Sequence, residues 1–347
     1  MESPVYFLPW SKMNDFQRWI ASVGAFDHVN EREFVALKIH FGEDGNHGYI
    51  KPPLVRAVAG HVQQKGAWPF LTDASTIYVG QRADAYHHLL IADKHGFTVG
   101  NCGCPVIIAD GLRGNAGVDI PVNLKHFDTV SIANAVHYAD SCLFLSHFKG
   151  HEISGFGGAL KNIGMGCGTR AGKYAMHDRL HPCVNIERCA GCGRCVEWCG
   201  AHALGVVGGK IQIDAALCVG CGECILSCPH DVFHIPWDEN TVAVQEKIVE
   251  YAYGVLKNKR HFNVNFMNHI TRYCDCYPDK GGPLLDDIGV AASPDPVALD
   301  QACADLVNRA YGSDFFSHIF PGIDWSVQLA YAEKLGLGTR KYRLIYG

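Results

Sequence analysis

The chain has 347 residues, 48% hydrophobic and 19% charged, a balance that suits an ordered globular protein and excludes a disordered one. The formal net charge is −5 and no basic run exceeds KNKR at 257–260, so nucleic acid is not an expected partner. No apolar stretch reaches the ~18–20 residues needed to span a bilayer, and MESPVYFLPWSK lacks the basic region and apolar core of a secretory signal.

Along the chain, FVALKIHF (34–41), WPFLTD (68–73), PVIIAD (105–110) and CLFLSHF (142–148) are short apolar runs that predict buried strands. Between them, 52–66 and 82–96 predict amphipathic helices closed by glycine. After a cysteine-rich stretch the alternation resumes: a helix over 241–258, strands at 262–267 and 288–293, and a helix over 295–310 with Asp295 near its start. Strands alternating with helices imply an α/β fold, a mostly parallel sheet with helices on both faces. The last segment has too few strands to bury a sheet alone. The expected organisation is therefore one interrupted α/β domain, 1–180 and 237–347, with a module inserted at 181–236, rather than three consecutive domains.

That stretch carries one cysteine run twice: Cys189, Cys192, Cys195 and Cys199, then Cys218, Cys221, Cys224 and Cys228 followed by Pro229. Three closely spaced thiolates and a fourth further along suit a [4Fe-4S] cluster whose last ligand comes from the other run. This spacing assigns Cys189, Cys192, Cys195 and Cys228 to one cluster, and Cys218, Cys221, Cys224 and Cys199 to the other. Two zinc knuckles are the alternative, but zinc has no use for the third CxxC step or the closing cysteine. The flanking sequence repeats as well, apolar strand, cysteine loop, apolar strand, and Pro182–Pro236 resembles a bacterial two-cluster ferredoxin. Gly200 departs from that pattern, standing where proline usually follows the fourth cysteine. Clusters need reducing conditions, so the expected compartment is the cytoplasm of an anaerobic or well-reduced cell.

Ligands of such sheets bind at the carboxyl ends of strands. The loops after Phe41, Phe70, Asp110, Phe148, Met267 and Ser293 are therefore the places to look, and HFGEDGNHG (40–48), LTDASTIYVGQR (71–82), ADGLRGN (109–115) and 146–168 are rich in polar residues and glycine. In the last, His147 and His151 could bind metal or move protons, and Lys149 and Lys161 could hold an anion, with Asn162 beside them. Neither GxGxxG nor GxxxxGK[ST] is present there, so no nucleotide fingerprint is read. Cys274-Asp275-Cys276 is the second constellation: if extended, both sulfurs share a face and reach one metal or substrate atom. Cys167 could add a third sulfur, His177 a nitrogen, and Cys102 and Cys104 form another CxC pair. A third metal or cluster, a substrate-facing thiol pair and inert thiols all stay open. Cys142 and Cys303 read as core residues, and Cys183 is undecided.

PFLTDASTIYVGQR, PVIIADGLRG, SHFKGHEISGFGGALKNIGMGCG, CDCYPD and DIGVAASPDPVALDQA resemble the domain-of-unknown-function 362 family, from about Val5 to the C-terminal helix. The resemblance implies this fold with an iron–sulfur centre and assigns no reaction. The expected function is iron–sulfur electron transfer. It is read first as an oxidoreductase passing single electrons through two [4Fe-4S] clusters to a Cys/His/Lys site, with a redox donor or acceptor protein and a small-molecule substrate as partners. A non-enzymatic electron-transfer adaptor and a metal- or cluster-delivery protein are the alternatives.

Overall fold

The protein is described from a computed structural model covering residues 2–78, 80–177, 182–218, 222–234, 240–278 and 282–347. Eight strands form one sheet: β1 (Ser3–Pro9), β2 (Phe34–Lys38), β3 (Trp68–Asp73), β4 (Val106–Ile108), β5 (Ser141–His147), β6 (Arg260–Met267), β7 (Gly289–Ser293) and β8 (Tyr342–Tyr346). Their spatial order is β8-β1-β7-β6-β5-β2-β3-β4. Neighbours are parallel except where β7 meets β1 and β6. The expected α/β fold with a mostly parallel sheet and helices on both faces is what is found. Strands from before and after the cysteine-rich stretch share this sheet, with Phe266 of β6 opposite His147 of β5.

Both faces of the central strands are covered, which is why they read as unbroken apolar runs. Along β5, Cys142 and Phe144 enter one core while Leu143 and Leu145 enter the other. Helix α1 (Pro52–Gln64) covers one face with Val55, Val58 and Val62. The opposite face is covered by α3 (Ala159–Cys167), α5 (Thr241–Leu256) and α6 (Pro296–Tyr311), while α2 (Ala85–Lys94) follows the β3 loop and α4 (Arg170–Met176) follows α3. Helices α3 and α5 meet at Gly164, where a Cβ would lie 2.0 Å from the Ile248 carbonyl oxygen. Asp295 caps α6 by accepting the Val297 and Ala298 N–H groups at 2.9 Å each.

Some elements differ from expectation. Strand β2 ends at Lys38 and β4 spans only Val106–Ile108, shorter than the apolar runs that announced them. The glycine-rich 146–168 stretch contains two short paired strands, Lys149–His151 and Gly155–Gly157, and then α3. The start of α3 is held from a distance: the Asp300 carboxylate accepts the Ala159 and Leu160 N–H groups at 2.7 and 2.9 Å. No local sequence signal reports that contact.

Within the cysteine-rich stretch the repeat is visible as crosswise pairing. Cys183–Val184 pairs with Phe233–His234, and Leu204–Val207 pairs with Lys210–Ile213, both antiparallel. Its small core of Leu204, Ile211, Ile225, Val232 and Phe233 is joined by Ile77 and Tyr174 from the α/β part. The expected boundaries at 181 and 236 fall outside the described residues. No described helix is long and apolar enough to cross a membrane.

Candidate functional site

Four neighbouring parallel strands, β3, β2, β5 and β6, deliver their carboxyl ends to one cavity of about 130 Å³. Asp73 ends β3, His40 follows β2, His147 ends β5, and Cys274 and Cys276 lie in the loop after β6. The loop after Ser293 does not reach the cavity, because β7 runs antiparallel to β6 and its carboxyl end lies at the other edge. The Asp110 loop is also absent from the lining: Asp110 is occupied with Ser75, accepting its N–H at 3.0 Å.

Cys274 and Cys276 sit in a turn, not the extended segment that the CxC spacing suggested. The Tyr277 N–H closes it on the Cys274 carbonyl at 3.1 Å. The turn brings the two sulfurs within 3.1 Å, Cys274 donating to Cys276. Cys276 Sγ also lies 3.4 Å from His40 Nε2 and accepts from Arg82 Nη2 at 3.4 Å. The Cys274 hydrogen bond, with Arg82, Lys161 and the Tyr78 hydroxyl, outweighs burial and holds the Cys276 thiol well below the usual range. Cys274 moves the other way, raised by that same hydrogen bond and by burial. The two thiols are thus driven in opposite directions, Cys276 toward the thiolate. The ligand atoms of His40, Cys274 and Cys276 all lie within 4.8 Å of one another, close enough for one metal ion.

Buried ion pairs surround the thiolate. Asp73 receives Lys38 Nζ at 2.8 Å and Arg82 Nη1 at 3.1 Å. Burial works against its charge, yet Lys38 and its neighbours hold the carboxyl well below the usual range. Asp275, between the two cysteines, faces His147 Nδ1 at 2.8 Å and Lys149 Nζ at 3.1 Å. Glu152 is the exception. Burial raises its carboxyl, and its Oε2 is buried without a hydrogen-bond partner among the described residues.

The residues singled out in the sequence separate here by what they touch. His147, Lys149, His151, Lys161 and Asn162 all line the cavity, as does His177. Both nitrogens of His147 are taken, Nε2 donating to the Asn268 carbonyl at 2.7 Å and Nδ1 facing Asp275. Lys149 also donates to the His147 carbonyl at 3.0 Å. Asn162 ties α3 to the sheet, accepting Lys38 Nζ at 2.8 Å and donating to Ser146 Oγ at 3.0 Å. His151 is held neutral by burial and by Lys161 and Lys149, and its Nδ1 accepts the Ile153 N–H. Lys161 makes no hydrogen bond or ion pair among the described residues.

Cys167 stands outside the His40–Cys274–Cys276 group; its thiol donates to the Asn162 carbonyl at 3.7 Å, and burial pushes it up to about 11. Cys102 and Cys104 lie in the core across the sheet, while Cys142 and Cys303 are buried in the core on the cavity side. His40, Tyr78, Arg82 and Glu152 were not singled out individually, although three of them belong to the polar loops at 40–48 and 71–82. Their spacing carries no motif, because separate strands bring them together.

The runs of cysteines make two further sulfur-lined pockets. Cys189, Cys192, Cys195 and Cys228 line one. Cys199, Cys218 and Cys224 line the other, while Cys221 lies outside the described residues. Backbone N–H groups point at these sulfurs: Gly191 and Ile211 at Cys189, 3.4 and 3.3 Å, and Ala203 at Cys199, 3.2 Å. Such donors stabilise thiolates. The segment is fastened to the α/β part by Glu223, which receives Arg170 Nη1 at 3.1 Å and Arg113 Nη1 at 2.9 Å. Arg113 in turn lies over the Trp198 ring, 3.6 Å from its centroid.

Among curated proteins, nothing matches this chain. Of solved structures, it is similar to the lactate racemase apoprotein from Thermoanaerobacterium thermosaccharolyticum at 10% identity and a TM-score of 0.45, covering 89% of this chain and 58% of that one. A protein from Thermotoga maritima is similar at 9% identity and a TM-score of 0.39, covering 86% and 59%. The chain thus spans less than two thirds of either structure. A family model described as "Domain of unknown function (DUF362)" matches residues 35–305, well over half of the chain. The chain belongs to the DUF362 family.

Proposed function

We propose that the protein is an iron–sulfur oxidoreductase in which two [4Fe-4S] clusters exchange single electrons with the His40–Cys274–Cys276 end of the cavity, where a small anionic substrate binds. The donor sets fit the clusters: four sulfurs line one pocket, and three, with Cys221 beyond the described residues, line the other. Cys189, Cys192, Cys195 and Cys228 would hold one cluster, and Cys199, Cys218, Cys221 and Cys224 the other; bound there, clusters supply reversible one-electron transfer. Cys192 is exposed, which suits electron exchange with an external redox protein at the first cluster.

The observation that carries this reading is Tyr78. Its ring packs against the core that includes Cys195, Ile225 and Tyr174, while its hydroxyl meets Arg82 Nη2 at 2.6 Å and hydrogen-bonds the Cys276 thiolate. One side chain therefore touches both the cysteine-rich core and the paired sulfurs. An adaptor would not need such a link, nor the excess of cations in the cavity. Of the cations lining it, Lys38 and Arg82 share Asp73 and Lys149 pairs with Asp275, which leaves Lys161 and Lys173 without a carboxylate partner among the described residues. Burial lowers Lys173 to about 8, and Lys161 has no ion-pair partner among the described residues. These groups favour an anion close to the thiolate. Glu152 would hold or release a proton there.

Low-temperature electron paramagnetic resonance of the anaerobic, dithionite-reduced protein tests the reading. Two reduced-cluster signals are expected, with Cys192→Ala and Cys224→Ala each perturbing a different one. A spectrum silent under reduction, from protein that binds zinc in the same pockets, rules the reading out.

A further inference from the structure

We infer that Cys274 and Cys276 form a two-electron dithiol/disulfide couple that exchanges electrons with the one-electron centres of the cysteine-rich segment, and that they are not the ligands of a third metal. The inference rests on the cluster reading above for its electron source and on the geometry of the pair for everything else.

The decisive group is His40. Its Nδ1 accepts the Gly42 backbone N–H at 3.0 Å. A backbone N–H can only donate, so a neutral His40 carries its proton on Nε2. That nitrogen faces Cys276 Sγ at 3.4 Å, so it presents a proton to the sulfur and no lone pair to a cation. A metal-binding histidine does the reverse, donating its second N–H to an anchor. Here the anchor donates to the histidine. Burial also disfavours the charged imidazole. The three-residue group therefore lacks its nitrogen ligand, and Cys167, turned to the Asn162 carbonyl, does not replace it.

What remains is built for sulfur chemistry. The turn holds the sulfurs 3.1 Å apart, with the Cys274 thiol donating to Cys276, the sulfur on which negative charge is favoured. His40 Nε2–H, Arg82 and the Tyr78 hydroxyl stabilise that charge. Oxidation of the pair forms one S–S bond, releases two electrons and gives up the Cys274 proton. In reverse, the disulfide accepts two electrons and one proton and opens to a thiol on Cys274 and a thiolate on Cys276. Two [4Fe-4S] centres, each passing one electron, balance the count. Glu152 lines the same cavity, and its Oε2, buried without a hydrogen-bond partner among the described residues, offers a place for the proton. A small anionic oxidant or reductant entering past Lys161 would meet the Cys276 sulfur.

The test is a reductive titration of anaerobic, pre-oxidised protein, counting electrons taken up per chain, with mass-spectrometric tagging of free thiols at each point. Wild type is expected to take up about four electrons and the Cys274→Ser/Cys276→Ser variant about two, with the cluster signals kept in both. Cys274 and Cys276 should become taggable only on reduction. Uptake of about two electrons by wild type, with both thiols tagged from the outset, overturns the inference. So does a metal beyond the cluster iron that is lost in the variant. The tagging on wild type needs no substitution. It reports on the couple even if the iron content refutes the clusters, so the two failures can be told apart.

Discussion

Replacing Glu223 by glutamine should loosen the cysteine-rich segment from the α/β part while every cysteine is kept. Glu223 is 5% exposed and shared between Arg170, whose side chain is 1% exposed, and Arg113, at 37%. Breaking one side of a buried ion pair costs about 3–5 kcal/mol. Arg170 keeps bonds from Nε to the Thr76 carbonyl at 3.3 Å and from Nη2 to the Ala83 carbonyl, which puts its share at about 3 kcal/mol, the low end of that range. The more exposed Arg113 pair adds less than about 1 kcal/mol after solvent screening. A glutamine amide also turns its NH₂ toward one guanidinium, so at best one bond survives. At about 3 kcal/mol the docked state loses on the order of a hundredfold in population against undocked forms. Hydrogen exchange is the assay. Amides of 222–234 and of α4 near Tyr174 should exchange faster in Glu223→Gln, while both reduced-cluster signals remain present. Unchanged exchange at both places would refute the argument that this ion pair fastens the segment.

Further outcomes follow from the same contacts. Alkylation of Cys276 by iodoacetamide should persist at pH values well below the ordinary thiol range, while Cys167, pushed up to about 11, stays unreactive at neutral pH. Arg82→Met should move the Cys276 profile upward, which peptide mapping of the alkylated sites reads directly. Asp275→Asn removes the carboxylate facing His147 and Lys149, a buried set, and should cost about 3–5 kcal/mol in urea unfolding. Burial opposes the charge on Asp275, but His147 and Lys149 hold its carboxyl well below the usual range. A depressed folded-state value gives stability that is fully present above the unfolded value of about 4 and fades only as pH falls below it. The wild-type advantage should therefore shrink as pH falls below about 4. Gly164→Ala places a methyl 2.0 Å from the Ile248 carbonyl oxygen and should lower thermal stability by about 1–3 kcal/mol through separation of α3 and α5.

The parallel core of the fold was legible because β2, β3 and β5 are buried on both faces and so appear as continuous apolar runs. The outer strands β1 and β8 were not. Tyr342–Tyr346 is only partly buried, and Ser3–Pro9 carries two prolines. The cysteine runs could be read from spacing alone, because each run is local. The cavity was legible only as a location. His147, Lys149, His151, Lys161 and Asn162 reach it, but His147 and Lys149 are spent on Asp275, a residue that stood between the noticed cysteines. His40 and Arg82 come from loops after other strands, so their meeting with Cys276 depends on strand order, not on spacing. The His40 tautomer, which separates metal from thiol chemistry, depends on one backbone N–H, that of Gly42.

The most direct test of the account is iron, acid-labile sulfide and zinc analysis of anaerobically purified protein. Two [4Fe-4S] clusters predict about eight irons and eight sulfides per chain with no stoichiometric zinc. About two zinc ions per chain without sulfide would contradict the account at its centre.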